Sequence, residues 1–352
     1  MALSDRNDGK WTRRAFLATG GAAVVGLAAW RFGAQREAVR RHGLTSSRFV
    51  AMGTYLELTV SDAAGDAALR PALDAVRRVE ERMSYFLPAG ELGRLNAAAA
   101  AVPVAVSSEL EVVLAAADET HALSGGAFDP TVGPFLAAWG FRAGRPTRRP
   151  SRDELLAARE RVGWARVTRD GRGVAFGVDG LSIDLGGIAK GHGADRAAAA
   201  LAAAGASGLV NAGGDIRAAG PQPDGSPWRI GVRDPLRPDG LLATLELPGD
   251  AAVATSGTYE QFVEIEGRRV SHIIDPRGGE PAAGVVSATV TAPTAMRADA
   301  LATACVVLDP SEALRLLESL PDVEGLLVVR RADGRHRVER TSGMSVEMLR
   351  SV

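Results

Sequence analysis

Asp184-Leu185-Gly186-Gly187-Ile188-Ala189-Lys190-Gly191 carries the chain from an apolar segment ending in an acid, through a glycine pair, into an alanine-rich run. The glycines free the backbone, and Lys190 falls near the start of a helix. Bare main-chain N–H groups, a cation and a helix N-terminus meeting at one place make a seat for phosphate. The glycine spacing is that of neither the P-loop nor the Rossmann fingerprint. Taken alone, the stretch reads equally as a turn before a helix. The segments around it decide between the two.

Working outward, residues 174–185 are expected as a β-hairpin turned by Asp179-Gly180. The helix after Gly187 extends through Ala194 to Ala204 and stops at Gly205, and a strand over 208–211 enters Ala212-Gly213-Gly214-Asp215. Upstream, a first strand begins around Met52-Gly53-Thr54. Leu69, Leu73, Val76, Val79 and Met83 then recur at helical spacing, with Pro71 in the first turn. A helix over 108–123 is capped by serine and stopped by Gly125-Gly126, and Ser151 with Glu154 forms a capping box. Downstream, 228–274 is strand-rich with a tight turn at Glu266-Gly267, and 285–291 is another strand. Thr294 and Ser311 cap helices, and 326–338 closes as a hairpin at Asp333-Gly334. Residues 142–152, with prolines and arginines, read as a surface loop. Strands and helices mix without strict βαβ alternation, which points to an α+β fold.

The 352-residue chain has a formal net charge of −1, 5 histidines and 1 cysteine. That balance indicates neither a nucleic-acid surface nor a bulk anionic-membrane surface. With Cys305 alone no intramolecular disulfide forms, so stability must come from a core. Thr12-Arg13-Arg14-Ala15-Phe16-Leu17, followed by an apolar Gly/Ala-rich run over 18–30, has the layout of a twin-arginine export signal. The run is short for a transmembrane helix, which needs about 20 residues. It lacks a clean small-x-small cleavage site and is a candidate membrane tether. Lipid attachment there is excluded, because Cys305 is far away. Residues 1–45 are therefore assigned to the signal and linker, with the domain on the periplasmic or extracytoplasmic side. Residues 46–352 suffice for one large domain or two lobes.

Three further segments carry chemistry. Gly126-Ala127-Phe128-Asp129-Pro130-Thr131-Val132-Gly133-Pro134 fixes its backbone with proline and glycine, leaving Asp129 and Thr131 to bond a ligand or to close an Asx-type turn. Asp299 and Thr303 stand four residues apart on one helical face and are hard oxygen donors. A carbonyl near Gly187 and substrate phosphate oxygens would complete the octahedral shell that Mg²⁺ prefers. Zinc is disfavoured, since no His/Cys cluster occurs. His272, in Ser271-His272-Ile273-Ile274-Asp275-Pro276, is placed to accept a proton near neutral pH. His121, on the apolar side of its helix, reads as a packed residue.

Together these blocks resemble the ApbE family, the FAD:protein FMN transferases. The matching blocks are Met52-Gly53-Thr54, residues 84–96, the Gly126–Pro134 run with Trp139-Gly140-Phe141, residues 183–191 with Asp195, and 211–216. Residues 255–262, 271–279 and 298–304 follow in the family's order. The resemblance implies a two-lobed α+β fold with FAD in the inter-lobe cleft. It implies Mg²⁺ on the pyrophosphate, with FAD as substrate, and transfer of FMN to a threonine or serine hydroxyl of another exported protein. The metal ligands it implies are Asp299, Thr303 and the Gly187 carbonyl. Met52, Tyr85, Phe86, Asp129, Lys190 and Ile274 would contact FAD, joined by Thr131 from the same block as Asp129, and His272 would be the catalytic histidine. The chain departs at Gly90 and Gly93, where serine is usual, and at His192, where tyrosine is common. It lacks the Ser/Thr-Gly-Ala-Ser/Thr acceptor motif, so it should act on a partner. The rival readings are an Mg²⁺-dependent FAD pyrophosphatase and a non-enzymatic flavin-binding protein.

Overall fold

The computed structural model describes residues 37–349 except 42, 63, 143–147, 238 and 332. The twin-arginine segment lies outside the described residues. Among them, no helix is long and apolar enough to cross a membrane.

The core element is one antiparallel sheet whose spatial order is also its chain order. It runs β1 (Glu37–Arg41), β2 (Leu44–Ala51), β3 (Thr54–Ser61), β4 (Gly208–Ala212), β5 (Asp215–Ala219), β6 (Ala252–Gly257), β7 (Val285–Ala292), β8 (Glu324–Arg330) and β9 (His336–Arg340). Between β3 and β4 the chain leaves the sheet to build a helical layer. That excursion holds α1 (Gly65–Met83), α2 (Glu91–Ala98), α3 (Ser108–Leu123), α4 (Gly133–Ala138), α5 (Arg152–Arg159) and α6 (Ala189–Ala203). A second excursion, between β7 and β8, holds α7 (Ala295–Val307) and α8 (Pro310–Glu318).

Alternation along the strands decides what covers each face. Leu56, Leu58 and Val60 of β3 point to α1 and α6 and share a core with Leu69, Ala72, Val76, Ala194 and Leu201. The opposite face, through Ile216, Val253, Val286 and Val328, packs on a small sheet built from Trp228–Arg233, Leu241–Leu247 and Glu347–Met348. β7 is therefore buried on both faces along nearly its whole length, its Ser287 and Thr289 included. A separate apolar body joins Val79, Met83, Leu92, Leu95, Leu110, Leu114 and Phe128. The architecture is α+β, with a sheet lobe and a helical lobe. α1 links them, its first half in one core and its last turns in the other.

Residues 185–201 do the same. Leu185, Ile188 and Ala189 belong to the helical lobe, while Ala194, Ala197 and Leu201 belong to the sheet lobe. Close packing here demands glycine. A Cβ on Gly191 would lie 2.2 Å from the Ala295 carbonyl oxygen, so α6 meets the start of α7 only without a side chain.

Several local expectations change. Met52-Gly53 is the two-residue turn of the β2–β3 hairpin, not a strand start, with φ of 52° and 69° as a type I′ turn requires. Residues 181–185 pair with no strand. Asn96 donates to the Ile183 carbonyl at 2.9 Å and accepts its N–H at 2.8 Å, so a side chain replaces the ladder. The hairpin is formed instead by Val167–Asp170 and Gly173–Phe176. Pro71 stands past the first turn of α1, because that helix begins at Gly65. Asp309, not Ser311, caps α8, its carboxylate accepting the Ser311 N–H at 2.9 Å.

Gly191→Ala gains about 1 kcal/mol of helix propensity but forces a methyl onto backbone. The clash should win, with a net loss of about 1–3 kcal/mol in urea unfolding. Gly284→Ala, where a Cβ meets nothing within 4 Å, should change stability by less than about 0.5 kcal/mol. Equal midpoints for the two variants would contradict the packing described.

Candidate functional site

Lys190, in the first turn of α6, reaches two carboxylates on separate elements. Its Nζ bonds Asp215 at the start of β5 and lies 3.4 Å from Asp299 Oδ1 on α7. Asp299 Oδ2 accepts the Gly191 N–H at 3.0 Å. Asp299 and Asp215 are 0% and 1% exposed. Burial, reinforced by Asp299, pushes the Asp215 carboxyl well above the usual carboxylate range against the pull of Lys190. Burial alone would lower the Lys190 pKa, but Asp215 and Asp299 outweigh it and hold the ammonium charged. Asp215 Oδ1 is enclosed with no hydrogen-bond partner. Two enclosed carboxyl groups thus share one lysine, and a further cation would favour ionisation of both.

Thr303, one turn beyond Asp299, comes back to the glycine turn. A Cβ on Gly187 would lie 3.0 Å from Thr303 Oγ1, and Ser256 Oγ on β6 lies 3.1 Å from the same hydroxyl. The structure thus brings Gly187, Lys190, Asp299 and Thr303 together. It also revises the expected bare amides. Gly186 donates to Asp184, Ile188 and Ala189 to the Leu185 carbonyl, and Gly191 to Asp299. With these donors occupied, this turn offers hard oxygens to a cation more than N–H groups to an anion.

On the other side of the turn, Asp184 accepts a hydrogen bond from Arg142. The Arg142 guanidinium carbon sits 4.7 Å from the Tyr85 ring centre and 5.0 Å from that of Phe86, whose rings meet edge-on at 5.8 Å. Arg142 is therefore no free loop residue, as the basic, proline-bearing sequence around it suggested. Burial pulls its pKa down to about 10, so it stays charged at neutral pH. Its Nε is enclosed without a partner, an omission that costs about 1–3 kcal/mol. Gly90 and Gly93 explain themselves in the neighbouring turn. A Cβ would lie 2.5 Å from the Glu81 carbonyl oxygen at Gly90 and 2.3 Å from that of Leu87 at Gly93.

His272 Nδ1 lies 2.9 Å from the Gln261 carbonyl oxygen. A carbonyl only accepts, so Nδ1 carries the proton and Nε2 keeps its lone pair. Burial lowers the pKa to about 4; the Gln261 bond opposes this, and the nearby charges of Arg142 and Lys190 add to it. The ring is thus a neutral base set among cations.

Other candidates serve the scaffold. Thr131 is fully buried; its hydroxyl donates to Asp129 at 2.6 Å and accepts the Gly163 N–H at 2.7 Å. Asp129 also accepts the Thr131 and Trp164 N–H groups at 2.8 and 3.1 Å. The two are not free to bond a ligand with unused groups, because they tie the Gly126–Pro134 run to the Gly163 loop. Asp129 lines an open hollow of about 610 Å³ with His121, Arg159 and Arg277, none of which belongs to the Lys190 cluster. Ile274 is 4% exposed and its side chain lies in a small core with Phe135 and Trp139. Met52 holds a left-handed φ at a cost of about 1–3 kcal/mol. Its side chain packs against both lobes, and a Cβ on Gly193 would lie 2.8 Å from its sulfur. His192 meets Glu109 at 3.4 Å and joins α6 to α3.

The sequence resemblance implies Asp299, Thr303 and Gly187 as metal ligands, His272 as the base, and Tyr85 and Phe86 as FAD contacts. The ApbE family model matches residues 52–327. The chain belongs to the ApbE family. A FAD:protein FMN transferase of Vibrio cholerae is 37% identical over 262 residues, covering 74% of this chain and 78% of that protein. One from Escherichia coli K12 is 30% identical over 288 residues, covering 79% and 81%. Among solved structures, the flavin transferase ApbE from Vibrio cholerae superposes with a TM-score of 0.76 at 33% identity, covering 87% of this chain and 98% of that one. The ApbE protein from Thermotoga maritima gives 0.77 at 34% identity, covering 88% and 97%.

Sequence reading missed Asp215, Asp184, Ser256 and Arg142 as partners within this ApbE-family site. Asp215 had a signal, since an acid follows Gly213-Gly214 at the turn between two strands, as Asp184 precedes Gly186-Gly187. Arg142 had none, standing at the edge of an arginine-rich loop.

The His272 ring should titrate near pH 4 by imidazole NMR, not near 6.5. Its folded pKa lies below the unfolded one, so the stability it contributes is complete above about 6.5 and is lost as pH falls through about 4. A midpoint at 6.5 or above would contradict the desolvated, cation-flanked placement.

Proposed function

We propose that this chain transfers the FMN moiety of FAD to a threonine or serine hydroxyl of an exported acceptor protein, releasing AMP, with Mg²⁺ required. The relatives' names supply the reaction, and one observation carries its assignment to this site. Asp299, Thr303 and Gly187 converge beside an enclosed, unpartnered carboxylate oxygen of Asp215. These are hard oxygen donors, and a carboxylate oxygen accepting one N–H keeps a lone pair. The donor set fits Mg²⁺, held by Asp299, Thr303 and the Gly187 carbonyl. When bound, the ion would neutralise charge on the pyrophosphate.

The chain's own groups supply the rest. Lys190 places a fixed positive charge beside the metal donors and, with Asp215, keeps that charge in position. His272 Nε2 takes the acceptor hydroxyl proton as oxygen attacks the FMN phosphorus. The new P–O bond forms, the bridging P–O bond to AMP breaks, and AMP leaves with the electron pair. Tyr85 and Phe86 offer ring faces to the flavin, while Met52 and Ile274 shape the apolar ground beneath. Asp129 and Thr131 hold the loop that supports Phe128 against Gly187. The acceptor carries a Ser/Thr-Gly-Ala-Ser/Thr motif, and Arg13-Arg14 directs export by the twin-arginine route, with the N-terminal segment as a candidate membrane tether.

The test incubates the full chain with FAD, Mg²⁺ and an acceptor domain, then weighs the acceptor. Addition of FMN is expected. Free FMN with unmodified acceptor would instead favour the pyrophosphatase reading, and unchanged FAD the binding protein. His272→Ala should bind FAD normally and lose about 10²–10⁴-fold in rate. Asp299→Ala should lose activity and Mg²⁺ dependence together. Normal transfer by either variant would refute its role.

A further inference from the structure

Among the described residues, Arg142 is the cation whose side chain meets both the aromatic pair and the acid of the glycine turn, and its charge reaches His272. It bonds Asp184, which orders Gly186 through a 2.8 Å hydrogen bond. It lies against Tyr85 and Phe86 and is close enough to His272 to lower that ring's pKa. Lys190 differs, because two carboxylates already engage it. Arg142 Nε has no partner at all. Phe86 is 40% exposed, so its ring can swing aside and uncover the guanidinium without opening a core.

We propose that Arg142 binds the flavin-side phosphate, the group that is transferred. This rests on the flavin-transfer reading. A guanidinium suits the task, since its planar donors match phosphate oxygens while its faces stack on rings. One residue then reads the aromatic–phosphate junction of a flavin mononucleotide. It holds the phosphorus within reach of His272, where negative charge grows as the hydroxyl attacks. Asp184 keeps the fork oriented and is a positioning residue.

Binding of FMN and of riboflavin to the full chain separates phosphate from ring. The wild type should hold FMN more tightly than riboflavin. Arg142→Gln should weaken FMN by roughly 10–100-fold and leave riboflavin within about twofold, lowering the FMN/riboflavin ratio. Arg142→Lys keeps the charge but loses the fork, and should give an intermediate ratio. If Arg142→Gln fails to fold by circular dichroism, the lysine variant decides by the same ratio. Equal losses for both ligands would assign Arg142 to the ring or to the scaffold and overturn the proposal. An unchanged ratio, or a wild type without preference for FMN, would overturn it too. Failure of the wild type to modify an acceptor would count against the flavin-transfer reading alone, because the binding ratio is measured without turnover.

Discussion

The buried contact of Lys190 with Asp215 and Asp299 is the constraint on which the rest depends. Lys190 is only half-buried, whereas the two carboxyl groups it meets are enclosed and must be compensated if they are to be ionised. The contact also crosses the architecture. Lys190 begins α6, Asp215 begins β5 and Asp299 sits within α7, so forming it fixes how the helices meet the sheet. Gly191 makes the approach possible, and Asp195 secures it by accepting the Ala295 and Met296 N–H groups at 2.8 and 2.9 Å. The same groups hold the elements together and leave the carboxyl of Asp215 strained toward its protonated form, a tension that a further cation would relieve.

From this centre the site extends in two directions. Toward β6 lie Ser256 and Thr303, which complete an oxygen-rich wall. Toward the helical lobe lie Asp184, Arg142 and the Tyr85–Phe86 pair, which form a cationic and aromatic wall. His272 lies within the electrostatic reach of Lys190 and Arg142. Its neutrality follows first from desolvation of the ring, with the two cations adding to it. The charges that would bind phosphate thus reinforce a neutrality that desolvation sets.

Much of the local structure was legible because its causes are local. Ser107 caps α3, Ser151 and Glu154 close a capping box, and Gly205 ends α6 with φ of 68°. Glu266-Gly267 turns its hairpin with both φ values positive. The Asp299–Thr303 spacing was legible for the same reason, as four residues make one helical turn. What escaped were long-range pairings. β3 pairs with β4 across the whole helical excursion, and Asn96 serves as the partner of residues 181–185, so an apolar alternating run there looked like a strand. Arg142 escaped because its meaning comes from Asp184 and Tyr85, far away in sequence. Asp129 and Thr131 looked available because the loop at Gly163 that engages them lies more than thirty residues on.

The most direct test is anomalous diffraction from crystals of the chain grown with Mn²⁺ and a non-reacting dinucleotide. A peak within bonding distance of Asp299, Thr303 and the Gly187 carbonyl, against the pyrophosphate and beside Lys190, is the predicted result. A metal peak elsewhere, or a dinucleotide bound with those three residues bare, would contradict the account.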